Sequence, residues 1–447
     1  MKKEISHTFS LGQLVLFSLP AVAMLMVTSL YTAVDGVFIA RYVGSDALSA
    51  INIMLPLDTL SYGVAIMLGT GASAVIGRKL GQGRTQEAYE NFSLVTVAAV
   101  VIGLALSVGI IVFFEPLAVW LGASPRLLPY CMQYGYILFG ASVFTVVQVM
   151  YQSLFITAGK SQLALWLTGF SGVLNVVLDW LFIVVFQWGM AGAALGTIAG
   201  RIIGGIVPIV YFFAKRGGML SYGALRWDGR FLAKTLSNGS SEMVSNLAAG
   251  VTTLLFNLSM MELSGEDGVA AMTIVLYTQF VYTAVYIGFS NSAAPVISYH
   301  YGSGNRPYLK KLFRSCVVIV TASTVLMLAG SIVFAKPLIS LFAKDQQTVF
   351  ALAYHGYMIF IWNFLFAGYN IFSSGLFTAL SNGAVSAAIS FLRTLVFVTG
   401  SILLLPRVMG MDGIWLAIPL AEALTFCVAV FFVIRYGTRE YHFLGRE

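Results

Sequence analysis

Charged residues are scarce in this chain of 447 residues: Asp, Glu, Lys and Arg make up 10% of it, whereas hydrophobic residues make up 59%. A soluble globular domain contains about 25% charged residues. Long apolar stretches recur along the sequence, and many reach the roughly 20 residues needed to cross ~30 Å of hydrocarbon. The scarcity of charge therefore excludes a water-soluble protein and predicts a membrane protein.

Cysteine and histidine are also rare. The three cysteines, Cys131, Cys316 and Cys427, show no paired spacing, and the four histidines form no ligand motif. A disulfide framework or a bound metal would need such spacing. Acidic Mg²⁺ motifs, zinc motifs and nucleophiles with a nearby base, which would indicate an enzyme, are not found either. We therefore expect no metal site, no cofactor and no enzymatic activity.

The apolar stretches predict an all-α polytopic membrane protein with twelve transmembrane helices, arranged as two pseudo-symmetric six-helix bundles around a central cavity. The predicted spans are 14–40, 49–76, 93–114, 131–156, 163–186, 190–213, 236–261, 270–297, 316–334, 349–379, 385–405 and 413–435. The first span follows Lys2 and Lys3, as in a secretory signal. Because its apolar run continues to about Val34, too long for a signal core, we expect an uncleaved helix.

The distribution of basic residues predicts the orientation. With the N-terminus inside, the cytosolic segments hold eighteen of the 25 lysines and arginines, the outer loops hold five, and Arg201 and Arg393 lie within spans. Positive residues are retained on the cytosolic side of inner membranes. We therefore expect a multi-pass protein of the cell inner membrane with both termini cytosolic. The basic excess marks topology and does not indicate a nucleic-acid partner.

The sequence is internally duplicated at a constant offset of 221 residues. Gly81-Gln-Gly83 aligns with Gly302-Ser-Gly304, and Gly189-Met190 aligns with Gly410-Met411. Each unit contains six spans, so both units insert the same way up, as in transporters built from parallel repeats. We predict an N-terminal lobe (N-lobe, 1–213), a cytosolic linker (214–235) and a C-terminal lobe (C-lobe, 236–447).

Four polar residues of the N-lobe lie at similar depth within predicted spans. Asp35 falls ~7 Å below the outer end of the first helix, and Asp179 and Thr197 fall ~10 Å below the outer ends of the fifth and sixth. Asn175 shares a helix face with Asp179. Acids within the bilayer are costly and indicate function. Their oxygen atoms predict a cation site for Na⁺, or for a proton held by a desolvated carboxylate.

The other charged residues within spans leave more than one interpretation open. Arg201 and Glu422 occupy equivalent positions of the two repeats, so they can pair across the pseudo-symmetry axis or each find another partner. Asp58 is better explained by hydrogen bonding between helices than by cation binding, and Arg393 has no predicted partner.

These motifs resemble the multidrug and toxic compound extrusion family over essentially the whole chain. The resemblance rests on Asp35-Gly36, Gly81-Gln-Gly83, Leu174–Asp179, Gly189–Thr197 and Pro295–Gly302. In that family, residues matching Asp35, Asn175, Asp179 and Thr197 form the cation site of the N-terminal lobe. Trp180 is a departure, since the family often has proline there, and this puts helix bending at that point in doubt.

A second branch of the same family has acids in the seventh and tenth helices instead. Here the tenth span offers Asn363 and Asn370, and Glu242 lies too near the cytosolic end to match. The resemblance therefore implies the branch whose cation site is in the N-lobe. Because the second-repeat acids of the Na⁺-coupled branch are missing, H⁺ is favoured as coupling ion, with Na⁺ as the alternative.

The expected function is a cation-coupled antiporter that exports small amphipathic or cationic organic compounds by alternating access, as a monomer in the lipid bilayer. The alternative is a flippase for lipid-linked saccharides or another membrane lipid, which would need a strongly cationic cavity. Polar side chains that can line the substrate cavity are Gln148, Tyr151, Gln152, Tyr277, Gln279, Tyr282 and Tyr286.

Overall fold

The computed structural model describes residues 5–215, 217–343, 346–441 and 443–444. The two chain ends, which are predicted to be cytosolic, lie outside the described residues. The same holds for five of the basic residues in the orientation argument: Lys2, Lys3, Arg216, Lys344 and Arg446.

Twelve helices make up the two lobes. The first six are α1 (Leu11–Tyr42), α2 (Ser45–Gly81), α3 (Thr85–Val112), α4 (Leu128–Gly140 and Ser142–Thr157), α5 (Ser161–Asp179) and α6 (Gly189–Ala214). The second six are α7 (229–264), α8 (266–302), α9 (Arg306–Ala343), α10 (Gln347–Phe360 and Phe364–Ala379), α11 (Gly383–Phe391 and Val398–Met409) and α12 (Met411–Arg439). A short helix, Phe114–Trp120, joins α3 to α4.

The number of spans agrees with the sequence. Ten helices of the described residues are long and apolar enough to cross a membrane, and the two bent pieces of α4 together make an eleventh. One of the ten, Gly229–Gly302, is a continuous helical segment that is interrupted at Gly265, so it divides into α7 and α8 and brings the count to twelve. The prediction of an all-helical protein with twelve spans is confirmed.

Gly265 reverses the direction of the chain. It is the only residue of Gly229–Gly302 with non-helical angles (φ 62°, ψ −150°), a conformation that glycine adopts without a Cβ clash. Both ends of the segment then meet the same helix: Gly71 of α2 packs against the backbone of Thr235, and Gly81 of α2 packs against that of Tyr299. Therefore α7 and α8 are two antiparallel spans.

Local sequence signals set several helix ends. α1 begins after a capping box in which Ser10 and Gln13 exchange hydrogen bonds between side chain and backbone. The Asp228 side chain accepts from the Phe231 amide at 2.9 Å and caps α7. α7 therefore begins at Gly229, which lies inside the predicted linker 214–235.

Four spans depart from a regular α-helix. A 3₁₀ turn, Ile361–Asn363, joins the two pieces of α10. α4 bends by 53° between Gly140 and Ser142. α5 continues without a break into a π-helix, Trp180–Val185, and α11 contains a second π-helix, Leu392–Phe397. Single-turn π-helices are frequent at functional sites.

The hydrophobic core lies within each lobe. Buried clusters fill the N-lobe around Phe92 and Tyr151 at one end and around Phe114 and Phe139 at the other. Large apolar side chains on the outside of the helices, such as Trp166, remain exposed. Lipid covers such a surface in a membrane, so apolar residues occur on both faces of these helices.

The lobes touch through a pseudo-twofold contact at one end of the molecule, here called the basic end, where the connections 82–84, 217–228 and 303–305 lie. A Cβ on Gly81 would lie 2.0 Å from the carbonyl oxygen of Tyr299, and a Cβ on Gly302 would lie 2.1 Å from that of Arg78. Gly81 and Gly302 are repeat equivalents, and so are Arg78 and Tyr299. Such reciprocal contacts are typical of twofold symmetry. The two lobes are therefore closed against each other at the basic end.

Helix α1 packs against both lobes. Its first half contributes Leu14, Phe17 and Ala21 to the hydrophobic core of the C-lobe, around Phe289. Its second half contributes Ile39 to the core of the N-lobe. A displacement of the second half of α1 is therefore transmitted through this one helix to the C-lobe.

Candidate functional site

Three glycines bring α5 and α6 close together. Gly192, Gly196 and Gly200 follow one another at four-residue spacing on one face of α6, where small residues allow close helix packing. A Cβ on Gly196 would lie 2.2 Å from Asp179 Oδ1, and one on Gly200 would lie 2.9 Å from the Ser171 carbonyl oxygen. The glycine face of α6 therefore provides the space that the Asp179 carboxyl group occupies.

Asp179 and Asp35 form the centre of the site. Asp179 is fully buried, and neither of its carboxyl oxygens has a hydrogen-bond partner among the described residues. One oxygen of Asp35, Oδ1, is buried and unpartnered in the same way. The two carboxyl groups are close enough to interact electrostatically. Buried carboxylates need a counter-charge or a proton. No ion pair among the described residues supplies a counter-charge to Asp35 or Asp179.

Asn175 and Thr197 contribute the remaining oxygens. Asn175 Nδ2 donates to Thr197 Oγ1 at 3.5 Å, which leaves the buried Asn175 Oδ1 without a partner. The predicted residues on α5 and α6 are thus brought together, and α1 supplies Asp35. Among the described residues no group of three or more His, Cys, Asp or Glu side chains is arranged to hold a metal ion. The site offers instead two carboxyls, one amide carbonyl and one hydroxyl.

Two tyrosines that the sequence analysis did not select border this site. The ring of Tyr31 packs on Gly172 of α5, with Cδ1 2.6 Å from the position of a Cβ, and it interacts electrostatically with Asp35. Tyr134 of α4 is buried and interacts with both Asp35 and Asp179. Tyr31 could have been found, because it precedes Asp35 by one helical turn. Tyr134 gives no such signal, since only the tertiary fold brings α4 to the site.

Asp58 and Arg201 form an ion pair next to the site. Arg201 Nη1 donates to Asp58 Oδ1 at 2.8 Å and Nη2 donates to Oδ2 at 3.1 Å. A third bond from Nη1 reaches Thr145 Oγ1 at 2.9 Å. Arg201 follows Thr197 by one turn of α6, so the pair lies deeper along α6 than the carboxyl site. Its charges compensate each other within the N-lobe.

Glu422 and Arg393 form the corresponding pair of the C-lobe. Arg393 Nη2 lies 2.6 Å from Glu422 Oε1, and Asn370 Nδ2 donates to Glu422 Oε2 at 2.6 Å. Glu422 is 3% exposed, and Arg393 lies within the π-helix of α11. Of the two interpretations left open by the sequence, the structure selects the second: Arg201 and Glu422 each have a partner in their own lobe.

The seven side chains predicted to line a substrate cavity lie in different surroundings. Gln148, Tyr151 and Gln152 line a small pocket inside the N-lobe, against Thr168 and Gly204. The remaining four belong to α8 of the C-lobe: Tyr277, Gln279, Tyr282 and Tyr286.

Tyr286 is buried and exchanges a hydrogen bond with Thr324, and the ring of Tyr282 packs on Phe364. Gln279 is half-buried, and Tyr277 is 59% exposed. Tyr151 has its hydroxyl group hydrogen-bonded to Thr96 and Tyr222. The N-lobe trio therefore shares one pocket, which the three tyrosines and one glutamine of α8 do not line.

Two six-helix lobes in a parallel repeat, the first of which holds a buried pair of carboxyl groups, are typical of a polytopic membrane transporter. The family model MatE matches residues 20–181 and 243–402, one match in each lobe. The chain therefore belongs to the MatE family. Members of this family are membrane transporters, not enzymes, and they need no cofactor.

Curated relatives match over almost the whole chain. The chain is 24% identical over 435 residues to the multidrug export protein MepA of Staphylococcus saprophyticus, covering 95% of this chain and 93% of the relative. It is 22% identical over 430 residues to MepA of Staphylococcus aureus (strain MRSA252), with the same coverage.

Solved structures share the fold. A MATE family transporter described in its outward-facing conformation superimposes with a TM-score of 0.89 at 19% identity, covering 96% of this chain and 97% of that chain. A mutant of the MATE transporter VcmN of Vibrio cholerae superimposes with a TM-score of 0.89 at 21% identity, covering 97% and 98%. These likenesses support the two-lobed, twelve-helix fold.

Proposed function

We propose that this protein is a cation-coupled antiporter that exports small amphipathic or cationic organic compounds. The observation that carries the proposal is the pair of buried carboxyl groups of Asp35 and Asp179. Three of their four oxygens are buried without a hydrogen-bond partner among the described residues. A pair of this kind is stable only when a proton or a metal cation neutralises part of its charge, so its occupancy responds to the cation gradient across the membrane.

The coupling step follows from the position of α1. A bound cation or proton removes the repulsion between the two carboxyl groups, which favours approach of α1 to α5. Because the first half of α1 packs in the C-lobe core, this movement changes the fit between the lobes. A ligand shifts such an equilibrium only through different affinity for the two states. The contact at the basic end represents the state that is closed on that side, and release of the contact gives access from the basic end.

A proton is the proposed coupling ion, with Na⁺ as the alternative. Two carboxyl groups close together in a medium of low dielectric constant do not both remain ionised, so one of them holds a proton at neutral pH. The same two groups, with the Asn175 carbonyl and the Thr197 hydroxyl, also form a set of hard oxygen ligands that suits Na⁺. The proton is favoured because the acids that the Na⁺-coupled branch of the family has in the seventh and tenth helices are missing here, where the tenth span offers Asn363 and Asn370.

The class of substrate is proposed from the chemistry of the site and from the descriptions of the relatives. The relatives named MepA are described as multidrug export proteins, which supports small organic compounds as cargo. A flippase for lipid-linked saccharides would need unpaired cations that face a pyrophosphate group. Arg201 and Arg393, the two arginines that the sequence places mid-span, are paired with Asp58 and Glu422. This pairing disfavours the flippase.

The proposed orientation places the basic end in the cytosol, as the excess of lysine and arginine in its connections favours. With that orientation the structure is closed towards the cytosol. Substrate then leaves towards the outside, in exchange for a cation that binds from the outer side. A bacterial inner membrane and a monomeric state complete the proposal.

A dye-efflux assay in an efflux-deficient bacterial host tests the proposed function. Cells that produce the protein are expected to accumulate less of a cationic dye than cells with an empty vector. A protonophore and a Na⁺ ionophore, added together to collapse both gradients, should abolish the difference. Equal accumulation with and without the protein, over a panel of cationic dyes, would contradict export of such compounds. A difference that persists in the presence of both ionophores would contradict coupling to a cation gradient.

A further inference from the structure

A cleft of about 280 Å³ opens between the lobes at the basic end. Its lining comes from α2 and the connection that follows it in the N-lobe, and from the start of α7 and the α10–α11 connection in the C-lobe. The lining residues are Val75, Arg78, Lys79, Gln82, Arg84, Asp228, Arg230, Phe231, Lys234 and Ser381. Neither the carboxyl site nor the predicted substrate residues take part in it.

The cleft carries an excess of positive charge. Five of its lining residues are lysine or arginine and one is acidic, Asp228. Lys79 lies 3.7 Å from Asp228 and 3.2 Å from Glu87, so this lysine is compensated. Arg84 lies 3.9 Å from the same Glu87. The acidic side chains near the cleft are therefore already used by Lys79 and Arg84.

Three cations of the cleft have no acidic partner within the part of the chain that the structure describes: Arg78, Arg230 and Lys234. Lys234 is repelled by Arg78 and Lys79, which shows that the positive groups are close together. The guanidinium carbon of Arg78 lies 4.8 Å from the ring centre of Tyr301, and this contact holds the Arg78 side chain in place. Clustered, uncompensated cations of this kind bind phosphate groups.

The connection that leads to Asp228, here called the rim of the cleft, has residues suited to a membrane surface. Leu225 is 61% exposed and Trp227 is 82% exposed in the connection just before Asp228. Tryptophan is enriched at the boundary between headgroups and hydrocarbon, and basic pockets between helices on the cytosolic side bind anionic lipid headgroups. The cleft thus combines a phosphate-binding charge pattern with exposed apolar side chains in its rim.

We propose that this cleft binds a phosphate-bearing anion, with the headgroup of an anionic phospholipid as the source that the rim favours. Arg78 belongs to the N-lobe, whereas Arg230 and Lys234 belong to the C-lobe. A ligand held by both sets binds the closed contact more tightly than a state with the lobes apart at this end. It therefore stabilises the closed state in proportion to this difference in affinity. Anionic lipid in the inner leaflet is then a regulator of the conformational equilibrium.

The test measures binding without transport, so it is independent of the proposed efflux function. The full chain in neutral detergent is titrated with short-chain phosphatidylglycerol, with phosphatidylcholine of the same chain length, and with inorganic phosphate, and the melting temperature is recorded. Two variants are compared: R78Q/R230Q/K234Q, and the matched control R306Q/K311Q/R314Q, which removes three charges from the start of α9. A milder variant, R230Q/K234Q, keeps the Arg78–Tyr301 contact should the triple variant fold poorly.

We expect phosphatidylglycerol to raise the melting temperature of the wild type and of the control saturably, and phosphatidylcholine to have no such effect. The cleft variant should bind phosphatidylglycerol about a hundredfold more weakly, because each basic residue near an anionic surface contributes ~1 kcal/mol. An equal effect of inorganic phosphate would support the site and identify a free anion as its ligand. An unchanged response of both cleft variants, or equal responses to the two lipids, would overturn the proposal.

Discussion

At the residue scale, Gly196 illustrates how a residue without a side chain can be as important for the site as a carboxylate. Its missing Cβ leaves the space in which Asp179 Oδ1 lies, 2.2 Å from where the Cβ would be. The carboxyl group cannot move away easily, because Asp179 is fully buried between α5 and α6. The position of the Asp179 carboxyl is therefore set by the absence of an atom on α6.

Replacing Gly196 with alanine should displace the Asp179 carboxyl and strongly reduce cation-driven efflux. Overpacking of this kind costs about 1–3 kcal/mol, which leaves the protein folded but changes the site. The measurement is dye efflux from cells at matched membrane expression. Gly169→Ala is the matched control, since Gly169 lies on α5 with no atom within 4 Å of a Cβ. Equal efflux by the two variants would show that the position of the Asp179 carboxyl does not limit transport.

Much of the site could be predicted at this scale. Asp35, Asn175, Asp179 and Thr197 stand out because polar residues are rare within apolar spans, and helix rise alone places them at similar depth. The role of Tyr134 could not be predicted, because tyrosine is common in these spans and its neighbours are set by the packing of α4. The sequence also predicts which residues are close, but not which polar atoms remain without partners.

At the element scale, the Asp58–Arg201 pair connects α2 to α6. Both charges lie mid-span, where an unpaired arginine is expensive, and the pair is bidentate. The sequence left open whether Arg201 pairs with Glu422. The partner that Arg201 takes depends on how α2, α6 and α11 pack. Residue spacing within one helix carries no information on the packing between helices.

Asp58→Asn should destabilise the protein by about 3 kcal/mol, because it leaves the partly buried, mid-span Arg201 charge uncompensated. The melting temperature in detergent checks this. Asp46→Asn is the control: it breaks a bidentate pair of the same kind with Arg126, whose side chain is 77% exposed, and should cost about 1 kcal/mol or less. A loss of stability in Asp58→Asn no larger than in Asp46→Asn would mean that Arg201 finds another partner.

Helix irregularities were the least predictable elements. The π-helix that follows Asp179 and the bend of α4 after Gly140 both lie in apolar sequence without proline. Trp180, which replaces the proline expected from the family resemblance, begins the π-helix. Next to the carboxyl site the helix is therefore interrupted by a π-turn, and not by a proline kink. The apolar sequence pattern does not distinguish a π-turn from regular α-helix.

At the scale of the whole molecule, the internal repeat of the sequence is seen as a pseudo-twofold contact between the lobes. The offset of 221 residues relates Gly81 to Gly302, and these two glycines make reciprocal contacts at the basic end. The repeat and the number of spans could be predicted, because both depend on patterns that extend along the chain. The state of the molecule could not, since an open and a closed arrangement share the same sequence.

Gly81→Leu should separate the lobes at the basic end, because a side chain there overlaps the Tyr299 carbonyl, which lies 2.0 Å from the position of the Cβ. Spin labels on Gln82→Cys and Ser303→Cys, with the exposed Cys427 replaced, report the distance between the lobes by pulsed electron resonance. A longer mean distance than in the parent is expected. Gly109→Leu is the control, since nothing lies within 4 Å of a Cβ there. An unchanged distance in Gly81→Leu would show that this contact does not hold the lobes together.

The central claim is that the carboxyl pair of the N-lobe couples a cation gradient to export. The most direct measurement is uptake of a cationic dye against its own gradient into proteoliposomes that contain only the purified protein, under an imposed pH gradient without Na⁺. Wild-type protein is compared with Asp35→Asn, Asp179→Asn and Glu115→Gln. The last variant makes the same carboxyl-to-amide change at an exposed position of the N-lobe.

We predict concentrative uptake by the wild type and by Glu115→Gln, and none by Asp35→Asn or Asp179→Asn at equal reconstitution. Transport driven by a Na⁺ gradient and not by the pH gradient would contradict the proton as coupling ion, while keeping the site. Wild-type rates in both aspartate variants would contradict the central claim itself.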